Sequence, residues 1–181
     1  MVGIVIVSHS DALAQGVVAL AREMSPPELA LEAAGGIGED GVLGTSAELV
    51  GAAIERAMTP DGVLVLMDLG SALMSAELAV ELLEGATGPV LLSAAPLVEG
   101  AVAAAAAAGG GATLEQVAAE AGRALAMKTA QIGADDHEPA PAVAAAAGAI
   151  EVELLVKNEV GLHARPAARF VETVRDRKSV V

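Results

Sequence analysis

The sequence predicts an α/β fold, a doubly wound, mainly parallel sheet with helices on both faces, followed by a linker and a small strand-helix piece. Short apolar, β-branched runs alternate with alanine-rich stretches that carry apolar residues at helical spacing. The first run is apolar throughout, as a strand covered on both faces must be. Four such runs in β-α-β-α-β-α-β order, joined by short connections, leave a parallel sheet as the arrangement that buries them all.

Each element has a local reason. GIVIVS reads as a buried strand, and Asp11 to Met24 as the helix after it. ELALEAA is a second, weaker strand ending at Gly35-Gly36, with the loop IGEDGVLG beyond it. Thr45 or Ser46 can cap a helix through Met58, with Glu48 in its first turn, where a carboxylate suits the helix dipole. DGVLVLMD is the third strand, Gly70 to Leu83 the third helix, GPVLLS the fourth strand and AAPLVEG a loop. Two alanine-rich helices follow, the second opening at Thr113 with Gln116 placed for a capping box.

The domain organisation follows composition. Residues 1–130 form the α/β domain; residues 131–149, rich in Ala, Pro and acids without apolar periodicity, read as a linker; residues 150–181 start with the alternating IEVELLV and turn into an amphipathic helix. Charge divides the same way: −12, −3 and +1 across the three segments of a chain of net charge −14. Such acidity argues against nucleic acid, whose affinity rests on Lys and Arg neutralising phosphates.

The 181 residues are 54% apolar but include one aromatic residue, Phe170, so the core is built of Ala, Val, Leu, Ile and Met. There is no cysteine, hence no disulfide and no thiolate chemistry. Val2 to Val7 is too short for a signal peptide, and the Ala/Gly tract at 101–112 is too weakly apolar to span a membrane. The expectation is a soluble cytoplasmic protein with no membrane partner.

One junction carries the chemistry. The first strand stops at VSHSD, placing His9 where open α/β sheets bind ligands, beyond the carboxyl ends of the strands. Asp68 ends the third strand, which can neighbour the first; its carboxylate can fix the imidazole tautomer and aim the other nitrogen into the crevice. Gly70 and Ser71 start a helix on the same rim, offering a close-approaching backbone and a hydroxyl. The helix dipole adds roughly 0.3–1 kcal/mol for an anion, enough to help hold a phosphate but not to form a bond to one. The nucleophile is then a side chain, and the set suits a phosphohistidine.

Plainer roles compete. A strand-end histidine often only caps or packs, and Asp68 and Ser71 are ordinary N-cap types. GGIGED lacks the lysine of a P-loop, His137 lies in the linker, and no His/Cys/Asp spacing suggests a metal; no cofactor is called for.

IVIVSHSDALAQGV, MDLGSALMSAELAVELL and AAPLVEGAVAAA together resemble the phosphotransferase subunits of phosphoenolpyruvate-dependent dihydroxyacetone kinases, whose first domain is similar to the EIIA domain of mannose-type sugar phosphotransferase systems. GLHARPAARF resembles the active-site segment of the phosphocarrier HPr. The resemblance implies that His9 takes a phosphoryl group from phospho-HPr, or an HPr-like domain, and passes it to ADP on the nucleotide-binding subunit of the kinase. It implies a homodimer, a supporting role for Asp68, and a hydroxyl near the phosphate at Ser71. In the HPr-like segment it assigns His163 as phosphorylated histidine and Arg165 as the residue that steadies its phosphate, with Pro166 in the first turn of the helix.

HPr needs more strands and helices than residues 150–181 supply, and one strand and one helix bury too little surface to offset their ordering entropy. The expectation is an incomplete HPr-like fragment, which leaves open whether His163 works as a carrier and whether the chain is part of a longer protein. Two alternatives stand beside the main reading: the EIIA component of a mannose-type transporter, which should show paired glycines and a Ser/Thr-Pro where this chain has DLGSALMS, and a regulatory module that docks without carrying phosphate.

Overall fold

β1 (Gly3–Ser8) is the strand on which the rest is organised: it pairs in parallel with β2 (Leu31–Gly35) on one side and β3 (Val63–Met67) on the other. The structure, a computed structural model, describes residues 1–38 and 41–132. A fourth strand, β4 (Val90–Ser93), pairs in parallel with β3, giving the order β2-β1-β3-β4. The chain leaves β1 toward β2 and later returns to its other side as β3. The crevice between the carboxyl ends of β1 and β3 is therefore the topological switch point, where open parallel sheets accept ligands.

The helices are α1 (Asp11–Arg22), α2 (Ala47–Ala57), α3 (Ser71–Glu81), α4 (Leu97–Gly109) and α5 (Leu114–Gln131). Period-two alternation along β1 divides them between two faces. Ile4 and Ile6 join Ala14 and Val17 of α1, Ala104 and Ala108 of α4, and Val117 of α5. Val5 and Val7 join Val50 and Ile54 of α2 and Ala72 and Ala76 of α3. The doubly wound α/β sheet read from the sequence is thus the observed one. A core of Ala against β-branched residues lets helices lie close to the sheet: a Cβ added at Gly100 of α4 would stand 3.1 Å from Leu66 Cδ2.

Capping chemistry sets the helix starts. Ser10 accepts the Leu13 N–H at 3.3 Å and Ser46 accepts the Leu49 N–H at 3.4 Å, so Ser46, not Thr45, caps α2. Thr113 and Gln116 form the expected capping box at α5.

Several boundaries differ from the sequence reading. AAPLVEG is not a loop throughout, because Pro96, with φ of −58°, serves as the N-cap and α4 is already helical at Leu97. Helix α1 ends at Arg22, short of Met24. The Arg22 guanidinium donates to the carbonyls of Leu29 at 2.6 Å and Leu31 at 3.1 Å, tying the helix end to the segment that enters β2. That strand starts at Leu31, after the turn at Pro26 and Pro27. Helix α5 reaches Gln131, one residue into the stretch read as linker. The rest of that linker and the HPr-like segment, with His163 and Arg165, lie outside the described residues.

Candidate functional site

β1 ends in buried Ser8, and the chain then turns through His9 to Ser10, the cap of α1. The turn is held from both sides. A Cβ at Gly35, at the end of β2, would fall 2.6 Å from Asp11 Cα and 2.7 Å from the Ser10 carbonyl oxygen, so only glycine lets β2 lie against the start of α1. Gly44, in the loop before α2, donates its N–H to the His9 carbonyl at 2.8 Å.

β3 brings Asp68 to the same rim, its N–H donating to the Val7 carbonyl at 3.1 Å. Its carboxylate organises the turn: Oδ1 lies 2.8 Å from His9 Nδ1, and Oδ2 accepts from the His9 N–H at 2.9 Å and from the Ser8 hydroxyl at 2.9 Å. Ser8 Oγ in turn accepts the Ser10 N–H at 3.1 Å. An ionised carboxylate only accepts, so Nδ1 carries the hydrogen and Nε2 the lone pair.

Nε2 faces the start of α3, 2.8 Å from Ser71 Oγ. Gly70, the N-cap of α3, has φ of +73° and ψ of −125° and no side chain to cap with, and nothing lies within 4 Å of where its Cβ would stand. Backbone conformation, not crowding, makes glycine necessary there. The first N–H groups of a helix have no intrahelical acceptor, which makes this rim receptive to an anion.

The structure brings His9, Asp68, Gly70 and Ser71 together, with the His9 side chain 35% and the Asp68 side chain 26% exposed. Ser8, Thr45 and Ser75 belong to the same network but were not among the residues singled out for chemistry. Thr45 Oγ1 lies 3.0 Å from Ser71 Oγ, 3.1 Å from the Ser71 carbonyl and 2.9 Å from Ser75 Oγ. The signal for Ser75 was its place one turn after Ser71 on α3; the signal for Thr45 was a second hydroxyl beside a cap that needs one.

The segments that carry the site also expose large apolar side chains. Leu69 is 78% exposed, and Leu13, Leu43, Leu73 and Met74 are also exposed. Between β3 and β4 a groove of about 620 Å³ opens, lined by Asp68, Leu69, Leu73, Leu92, Pro96 and Leu97 among others. Among the described residues no helix is long and apolar enough to cross a membrane.

The structure thus presents a parallel α/β domain with a carboxylate-held, part-exposed histidine at its switch point. The sequence pattern of the family described as "PTS system fructose IIA component" matches residues 3–118, and that of "PTS HPr component phosphorylation site" matches residues 150–181. The chain belongs to the first of these families, the IIA components of the phosphotransferase system (PTS), and is similar to its DhaM-type members.

The phosphoryl donor subunit DhaM of PEP-dependent dihydroxyacetone kinase from Pantoea ananatis is 45% identical over 94% of this chain, and that from Escherichia coli 43% over 96%. The chain spans 37% and 38% of the length of these two relatives. The phosphotransferase subunit DhaM of the PTS-dependent dihydroxyacetone kinase of Lactococcus lactis is 39% identical, over 64% of this chain and 89% of its own length. Among solved structures, that of the unknown-function protein EF1359 is 37% identical with a TM-score of 0.59, covering 68% of this chain and 95% of its own. A sigma-54 interaction domain protein from Enterococcus faecalis, 17% identical with a TM-score of 0.52 over 72% of this chain and 95% of its own, shares the fold.

Proposed function

We propose that this chain is a phosphoryl carrier whose His9 accepts a phosphoryl group at Nε2 from a phosphorylated HPr or HPr-like domain and delivers it to ADP on the nucleotide-binding subunit of a dihydroxyacetone kinase. The observation that carries this reading is the division of labour between the two ring nitrogens: Nδ1 is tied to Asp68 at 2.8 Å, which leaves Nε2 for chemistry.

The Nε2 lone pair attacks phosphorus, and the N–P bond of the donor breaks with its electron pair returning to the donor's ring. No proton leaves Nδ1, so the His9 ring gains positive charge as the bond forms, and the Asp68 carboxylate stabilises it. In the return step a terminal phosphate oxygen of ADP attacks, and the N–P pair goes back to Nε2. Ser71 Oγ, 2.8 Å from Nε2, is within reach of a phosphoryl oxygen once the group arrives.

The apolar rim around His9 supports docking of the donor and acceptor proteins, and the −12 charge of residues 1–130 favours a basic donor. The dihydroxyacetone kinase reading is favoured over a sugar-transporter IIA by the sequence DLGSALMS after the third strand and by the DhaM names of the relatives. The residues from 133 to 149 serve as the linker to an HPr-like segment, 150–181, in which His163 and Arg165 hold the phosphocarrier positions. The carrier acts in the cytoplasm as a homodimer; Met74, Leu78 and Leu82, exposed at four-residue spacing on and just after α3, give a second copy an apolar strip to cover.

The test is incubation with phosphoenolpyruvate, enzyme I and HPr, followed by mapping of acid-labile label. Label on His9 that is lost in His9→Ala is the expected result. Stoichiometric label on residues 1–130 of His9→Ala would overturn the assignment.

A further inference from the structure

We infer that Thr45 is a positioning residue for phosphoryl transfer: acting through Ser71, its hydroxyl decides whether the Nε2 lone pair of His9 is covered or free. The inference rests on the reading that His9 carries the phosphoryl group. It names the device that would govern when His9 can react.

Thr45 lies just before the cap of α2, in a loop tied to the histidine segment by the hydrogen bond from the Gly44 N–H to the His9 carbonyl. Ser46 supplies the cap, so the Thr45 hydroxyl is spare. It reaches Ser71 Oγ at 3.0 Å, the Ser71 carbonyl at 3.1 Å and Ser75 Oγ at 2.9 Å, while Ser71 Oγ stands 2.8 Å from His9 Nε2.

These contacts outnumber the protons available. A hydroxyl has one hydrogen and two lone pairs, so Thr45 donates to only one oxygen at a time; with the Ser75 hydroxyl donating to Thr45, that oxygen is one of the two on Ser71. In one arrangement Thr45 donates to Ser71 Oγ, and the Ser71 hydrogen points to Nε2 and covers its lone pair. In the other, Thr45 donates to the Ser71 carbonyl, Ser71 turns its hydrogen onto Thr45 Oγ1, and the lone pair is free. Both arrangements use the same heavy-atom positions, so only hydroxyl rotors move.

Attack on phosphorus requires the second arrangement. The lone pair then forms the new N–P bond, the donor's N–P bond breaks with its pair going to the donor ring, and the Nδ1 proton stays on Nδ1. Afterwards the Ser71 hydrogen can turn back to a phosphoryl oxygen. Without the Thr45 hydroxyl, Ser71 loses its alternative protein acceptor and the lone pair stays covered for more of the time. Because Ser71 is exposed and water can substitute in part, the effect is that of one hydrogen bond, about a 2- to 10-fold change in rate.

The experiment measures single-turnover phosphorylation of His9 by phospho-HPr in the full chain and in Thr45→Val, Thr45→Ser, Ser71→Ala and Thr45→Val/Ser71→Ala. The ¹⁵N shift of His9 Nε2 is recorded on each folded, unphosphorylated protein. Thr45→Val is expected to be about 2- to 10-fold slow, Thr45→Ser close to wild type, and the valine to have no further effect once Ser71 is alanine. The Nε2 shift should move toward its hydrogen-bonded value in Thr45→Val and not in Thr45→Ser. Thr45→Ala provides the same comparison if valine disturbs the loop. An unchanged rate in Thr45→Val and Thr45→Ala, or the same loss with and without Ser71, would overturn the positioning role while leaving His9 as carrier. Absence of label on His9 in the wild type would overturn both.

Discussion

Asp68 grips His9 twice with one carboxylate: Oδ1 meets ring Nδ1 at 2.8 Å, and Oδ2 accepts the backbone N–H of the same residue at 2.9 Å. The ring's tautomer and the turn that presents it are set by a single side chain, which also accepts from Ser8 at 2.9 Å.

That arrangement makes Asp68→Asn more damaging than loss of a charge. Asparagine presents one acceptor and one NH₂, but three donors converge on the Asp68 oxygens. If its oxygen faces Nδ1, the NH₂ confronts the His9 N–H and the Ser8 hydroxyl; if it is flipped, the NH₂ forces the other tautomer and fills Nε2 with a hydrogen. Phosphorylation of His9 should slow by about 10- to 100-fold, the equivalent of a charged hydrogen bond worth about 1.5–3 kcal/mol. Single-turnover labelling measures it, and a rate equal to wild type would mean that the carboxylate has no part in transfer.

Gly70→Ala should cost stability without any steric clash. The position has φ of +73° and ψ of −125°, and no atom lies within 4 Å of the added Cβ, so the loss is backbone strain of about 1–3 kcal/mol. Relief of that strain would shift Ser71 away from Nε2, so transfer should slow as well. Chemical denaturation and labelling rate together check this; a variant as stable as wild type would show that the strained conformation is not required.

Much of this site was legible in the sequence, because its principal parts sit at strand ends. An apolar run that stops at His9 and another that stops at Asp68 place both residues on one rim as soon as the two strands are neighbours, and parallel order makes that pairing natural. Thr45, Ser75 and Ser8 were not legible as parts of the site. Their hydroxyls satisfy ordinary local rules, and only packing of the β2–α2 loop against the first turn of α3 turns them into a chain. The start of α4 was missed for a different reason: proline in AAPLVEG reads as a loop residue, but its fixed φ also suits a helix cap.

Glu99 near the start of α4 and Lys128 on α5 form an ion pair at 2.6 Å. The hydrogen bond from Lys128 holds the Glu99 carboxyl below its usual range. A depressed folded-state pKa stabilises the fold above the unfolded value and ceases to do so as pH falls through the folded one. Lys128→Ala should therefore raise the Glu99 midpoint and lower stability at neutral pH by less than about 1 kcal/mol, since both side chains are solvent-screened. The difference should vanish in acid. Carboxyl NMR titration, and melting at pH 7 and at a pH well below the Glu99 midpoint so measured, give the two readouts, and a stability loss that persists in acid would point to packing instead.

The last prediction concerns how a partner reaches His9. Leu69 follows Asp68 directly and is 78% exposed, an apolar side chain next to the carboxylate that holds His9 in a domain of charge −12. Its exposure means that Leu69→Asp should leave the fold intact, while an added carboxylate on the docking rim removes apolar contact and costs desolvation in the complex. Dependence of the single-turnover rate on phospho-HPr concentration separates these effects: half-saturation should rise by about 10-fold or more, as for a central interface residue worth over about 1 kcal/mol, with the rate at saturation nearly unchanged. Raising salt should weaken encounter in both proteins, because attraction between exposed charges is screened beyond about 8 Å at physiological ionic strength. A fall in the saturating rate with no change in half-saturation would place Leu69 in the transfer step and remove it from the docking surface.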